Sequence, residues 1–200
     1  TTSHPKGSLL HLVSNRRRAL RYLACIGMGV PIWYSVGLLI TLSTELAAEH
    51  SISNLDAGLC FILFQVGVTT GDLSSGVLSQ WLKSRKKVLL VFMSLAIIAT
   101  VLHFNQLYHS SPISFTSFLI GLGCGYLSVF VTATSEHFGT NLRVTVTATV
   151  TNFMRGAVTL LIPLRILIQE TFGTDVSLSL IWVGAIVWLP ALLAAAVMPE

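Results

Sequence analysis

Five tracts of this 200-residue chain carry no charged side chain: Ala24–Thr44, Ala57–Thr70, Val88–Leu102, Ile113–Ser135 and Val176–Met198. Nothing else in the sequence restricts its fold so severely. A hydrocarbon core about 30 Å thick takes roughly 20 residues of helix to cross. Several tracts reach that length outright, and the others do so when one or two polar residues are admitted. Only 10% of the residues are charged and 53% are hydrophobic, whereas a soluble domain is about a quarter charged. The chain reads as an all-α, polytopic membrane protein. Its six spans are expected at about 20–44, 55–82, 88–108, 113–135, 144–168 and 177–198, with residues 1–19 as a linker or amphipathic segment before a 20–200 bundle.

The few charges are ordered. Lys6, Arg16, Arg17, Arg18 and Arg21 precede the first span, and the connection after it holds Glu45, Glu49 and Asp56 without a Lys or Arg. The stretch "SSGVLSQWLKSRKKVLLVF" (Ser74–Phe92) then crowds Lys83, Arg85, Lys86 and Lys87 into one bend. His103–Pro112 again lacks Lys and Arg; Arg143 follows with Glu136, then Gln169, Glu170 and Asp175, and finally Pro199 and Glu200. Cations alternate sides with each crossing, as the positive-inside rule requires. Both ends of the chain are therefore expected in the cytoplasm, on a multi-pass protein of the cell inner membrane. The net charge of +4 is topological: it holds loops near anionic head groups and does not point to nucleic acid. No secretory signal is evident, because the basic cluster precedes a span too long for one. The chain is expected to begin inside a larger protein. Cys25, Cys60 and Cys124 all fall in apolar spans and read as small core residues, with no disulfide, metal site or cofactor implied.

One segment favours a strand locally. "VTVTATVTNF" (Val144–Phe153) alternates with period two and is β-branched. An open sheet edge in lipid would leave peptide groups unpaired, and the other spans are far longer than a barrel's ~10-residue strands. Threonine can bond back to the carbonyl one turn earlier, so helix is expected here, with a distorted or water-exposed start at Thr145–Thr151.

Two charges stand out inside the spans, Asp72 and Arg155, where each costs about 2.5–3.5 kcal/mol on insertion scales. Asp72 is eleven residues beyond Lys83 and Arg155 twelve beyond Arg143, which places both about 16–18 Å deep. Gln65, Thr69, Asp72, Gly76 and Gln80 share one helix face, as do Ala148, Asn152, Arg155 and Thr159. These stripes either line a solute path or carry proton coupling, or else Asp72 and Arg155 form a structural ion pair. "CIGMGVPIWYSVG" (Cys25–Gly37) and "GLGCGYLSVF" (Gly121–Phe130) are rich in glycine. In a 3+3 inverted repeat they hold equivalent positions, where interrupted helices mark a transporter's central site. Trp33, Tyr34 and Tyr126 then offer rings and hydroxyls to a solute. Close packing of small residues is the other reading.

"GVLSQWLKSRKKVLL" resembles the signature loop of the major facilitator superfamily, G-x-L-S-D-R-x-G-R-K-K. "SEHFGTNLRVTVTATVTNFMRGAVTLLIP" (Ser135–Pro163) resembles that family's connection between helices ten and eleven, where E-x-F-x-T-x-x-R leads into a glycine-containing helix. The resemblance implies the C-terminal half of a twelve-helix transporter, with an N-terminal half of the same protein as partner. It assigns gate roles to Gly76, Arg85 and Lys86, and relay roles to Glu136 and Arg143. Gln80 stands where the family's loop has its acid, Trp81 where it has an arginine, and Lys83 and Ser84 near its glycine.

The function expected from all this is secondary transport of a small organic solute, coupled to protons through Asp72 or Glu136, by alternating access. The alternative is a non-transporting membrane sensor or assembly subunit on the same scaffold. An intramembrane enzyme is not favoured: "LSSG" (Leu73–Gly76) lacks the first glycine of G-x-S-G, no histidine follows His137, and there is no H-E-x-x-H.

Overall fold

A computed structural model describes Leu12 and residues 14–52, 55–109 and 113–198. Most of the leading segment 1–19, Lys6 included, lies outside those residues, as do Pro199, Glu200 and the end of the connection His103–Pro112. Helix α1 (Arg16–Tyr34) runs into a π-helical turn (Ser35–Ile40), followed by short α2 (Ser43–Glu49). Helices α3 (Ala57–Leu82) and α4 (Arg85–His109) come next. The fourth crossing is divided into α5 (Ile113–Cys124) and α6 (Leu127–Glu136), and the fifth into α7 (Arg143–Gly156) and α8 (Val158–Phe172); α9 (Val176–Val197) is the sixth. Six stretches are long and apolar enough to cross a membrane, and no strand occurs among the described residues.

Local chemistry sets the helix ends. The Asn15 side chain accepts from the Arg17 N–H at 3.0 Å, and Asp56 from Leu59 at 3.1 Å, so each caps a first turn. Ser84 does the same for α4 by accepting from Lys87 at 3.3 Å. Left-handed residues stop two helices: Gly173 after α8, with φ 59°, and Lys83 after α3, with φ 47°. Lys83 thus occupies a conformation for which glycine is suited.

The period-two segment is helical. Thr147, Thr149 and Thr151 donate to the carbonyls of Arg143, Thr145 and Thr147 at 2.7–3.0 Å. Their hydroxyls are satisfied within the helix, which removes the need for a neighbouring strand. The fifth crossing turns at Ala157, yet Ala157 still donates to Phe153 and accepts from Leu161.

The packing has two-fold character. Helix α3 lies along α5 as α7 lies along α1; α4 packs on α5 as α9 packs on α1; and α4 meets α9. Exchanging crossings one with four, two with five and three with six maps this set of contacts onto itself, which is the arrangement of a 3+3 inverted repeat. The second and fifth crossings are the least buried.

The closest helix contact is made by glycine. Gly67 and Gly71 on α3 face Gly121 and Gly125, four residues apart on each side. A methyl group added at Gly67 would overlap the Phe118 carbonyl, at Gly71 the Leu122 carbonyl, and at Gly121 the Phe64 carbonyl; at Gly125 it would overlap the backbone of Gly71. On the other flank Gly123 meets the Ala96 backbone of α4. Close packing is therefore what these glycines provide. By contrast, a methyl at Gly76 meets nothing within 4 Å.

Three outcomes follow, readable with a thiol-reactive dye because Cys25, Cys60 and Cys124 are all free and buried. Gly125→Ala is expected to destabilise by about 1–3 kcal/mol through overpacking, while Gly76→Ala is neutral or stabilises by up to about 1 kcal/mol. Lys83→Gly is expected to stabilise by about 1 kcal/mol, because it relieves a left-handed side chain; a lower melting temperature would show that the lysine's own contacts outweigh that strain.

Candidate functional site

At the basic end, the bend after α3 brings Arg85 at the start of α4 to Glu136 at the end of α6, with Nη2 and Oε1 2.8 Å apart. The side chains are 36% and 51% exposed, so the pair contributes about 0–1 kcal/mol. It can open without large cost, which suits a latch better than a support. Arg85 Nη1 is buried without a partner among the described residues. Arg143 donates from Nε to the Ser135 carbonyl at 3.2 Å, beside Glu136. A cavity of about 300 Å³ opens here between Met28, Lys83, Arg85, Lys86, Glu136 and His137. The structure thus brings Arg85, Lys86, Glu136 and Arg143 together. Gln80 is exposed and nothing described approaches Gly76, so neither joins the cluster.

In the middle of the bundle, the fourth crossing breaks at Cys124–Tyr126. Asp72 answers the break from α3: its Oδ1 accepts from the Ser128 N–H at 3.0 Å and from the Ser128 hydroxyl at 3.2 Å. Asp72 therefore caps the N-terminus of α6 across the helix contact, where the helix dipole favours a carboxylate. Arg155 has a different neighbour. Its guanidinium carbon lies 4.9 Å from the centroid of the Trp33 ring, a cation–π contact. The ion pair that equal depth suggested is replaced by these two separate engagements.

Tyr34 and Tyr126, expected as solute-path candidates, are placed in the interior of this bundle. Both are fully buried. The Tyr34 hydroxyl donates to the Leu180 carbonyl at 2.8 Å, tying α1 to α9, and the Tyr126 hydroxyl donates to Met28 at 3.0 Å, tying the break in the fourth crossing to α1. Their hydroxyls are already engaged in cross-ties. Gln65, Thr69 and Asn152 are exposed on α3 and α7, and Trp33 is half-buried, so these four remain open to a solute.

Three features escaped the sequence reading. At the end opposite the basic cluster, Glu49 accepts from the Ser177 N–H at 3.0 Å and its hydroxyl at 2.9 Å, and His50 Nε2 lies 3.0 Å from that hydroxyl. His103 is wholly buried against Thr116, with Nδ1 2.9 Å from its hydroxyl oxygen. Arg165, on α8, has a buried nitrogen without a partner among the described residues. Only Arg165 left a signal, as a charge inside the expected fifth span.

His137 lies just outside the membrane-crossing stretches. Burial holds its imidazole below the ordinary 6.5, Arg21 adds to the effect and Glu136 opposes it. The unfolded chain therefore takes up this proton first as pH falls, and stability is complete above the ordinary value and declines below it. The melting temperature is expected to drop between about pH 7 and pH 5, with His137→Asn flattening part of the drop. An unchanged slope would remove His137 as a contributor.

A search among curated proteins finds no match to the chain. The model of the sugar (and other) transporter family matches residues 21–199, nearly its whole length. With six apolar crossings, the repeat-like packing and the Arg85–Glu136 loop already in place, that match makes this chain a member of the sugar (and other) transporter family, within the major facilitator superfamily.

Proposed function

We propose that the chain is the C-terminal half of a proton-coupled secondary transporter that moves a small organic solute by alternating access. It would rock against an N-terminal half around a site near the membrane midplane. The observation that carries this reading is that the first and fourth crossings, which correspond in the two repeats, are both interrupted. One contains Pro31 and the π-helical turn Ser35–Ile40; the other breaks at Cys124–Tyr126. The basic end is placed at the cytoplasmic face of the inner membrane, with both ends of the chain on that side. Arg85, Lys86, Glu136 and Arg143 then belong to the cytoplasmic gate, and Gly76 and Gln80 face the other half.

The ten residues of α6 link proton and gate. Their first turn is capped by Asp72 and their last residue is Glu136, the partner of Arg85. A proton on Asp72 weakens the charge-assisted bond to the Ser128 N–H, frees the start of α6 and loosens the latch at its end. In proteoliposomes of the full-length protein, Asp72→Asn is expected to bind solute but to show no stimulation of uptake by an imposed pH gradient. Normal gradient-driven uptake by that variant would end the assignment.

A further inference from the structure

We infer that the transported solute carries a carboxylate and that Arg155, stacked on Trp33, is its seat. The inference rests on the reading of this chain as a solute transporter and adds the chemical class of the solute. Arg155 lies about 18 Å along the fifth crossing from Arg143, on the exposed side of α7. The Trp33 ring holds the face of its guanidinium and leaves the N–H edges unoccupied. Among the described residues no carboxylate, carbonyl or hydroxyl accepts from it. Asp72, the carboxylate at matching depth, is engaged by Ser128, and Glu136 by Arg85. A charge inside the membrane marks a functional position when its countercharge is absent from its own bundle.

The surroundings are rich in donors. Trp33 Nε1 is buried without an acceptor among the described residues. Asn152, one turn before Arg155, is exposed and brings an amide NH2. A carboxylate brings acceptors only and matches a guanidinium edge with two parallel bonds. A neutral polyol brings a donor with every acceptor and leaves the cation uncompensated. The geometry therefore selects an anion over a plain sugar.

The test uses the full-length protein in proteoliposomes and matched pairs of labelled solutes: gluconate with glucose, lactate with 1,2-propanediol, benzoate with benzyl alcohol. Uptake is expected for acids and not for their neutral partners. Arg155→Gln should raise the KM of the acid at least tenfold, and Arg155→Lys should recover part of that loss. Uptake of neutral members alone overturns the inference and leaves the transporter reading standing; uptake of no member overturns both. An unchanged acid KM in Arg155→Gln removes Arg155 as the seat. If Arg155→Gln fails to fold while Arg155→Lys folds with wild-type acid KM, the carboxylate belongs to the rest of the transporter, and the inference fails.

Discussion

Hydrocarbon offers no hydrogen-bond partner to a peptide group, so every interruption of a membrane helix has to be answered from within the protein. In this chain the answers are visible one by one. Asp72 meets the exposed N–H of Ser128 at the break in the fourth crossing, and Tyr126 reaches from that break to the Met28 carbonyl. Ser35 donates to the Pro31 carbonyl at 3.0 Å beside the proline, and Thr41 to Val36 at 2.8 Å where the π-helical turn ends. In the fifth crossing, where the helix turns at Ala157, the backbone bonds to Phe153 and from Leu161 carry across the turn.

That support depends on distance. Asp72 reaches α6 only because Gly71 and Gly125 bring their backbones into contact; larger side chains would separate the helices and strand the cap. The repeat then produces two related latches at opposite ends. Glu136, after the fourth crossing, holds Arg85 at the start of the third. Glu49, after the first, holds Ser177 at the start of the sixth. Exchange of the repeats turns one arrangement into the other, although one is an ion pair and the other a carboxylate on a helix N-terminus.

Much of this was legible in advance because bilayer thickness and charge placement act on composition and spacing. The six crossings and the helical reading of Val144–Phe153 belong to that class. The partners of Asp72 and Arg155 do not. Depth along a helix is fixed by residue count, but direction around it is fixed by packing, and the glycine contact turns Asp72 towards Ser128. Ser128 carries no signal of its own, since any residue there presents the same N–H. Tyr34 and Tyr126 illustrate the same limit: an amphipathic ring suits a solute path and a buried cross-tie equally, and only the carbonyls of Leu180 and Met28 decide. Lys83 runs the other way, because a lysine there gives no sign in the sequence of the left-handed turn that it makes.

The central claim is that a carboxylate from the second crossing caps the broken fourth crossing inside the membrane. Hydrogen–deuterium exchange of the Ser128 amide, in the full-length protein in lipid nanodiscs at neutral pH, tests it most directly. An N-terminal helix amide has no intrahelical acceptor, so slow exchange that accelerates at least tenfold in Asp72→Leu is the expected result. Fast exchange in the wild-type protein, or exchange indifferent to Asp72, would contradict it.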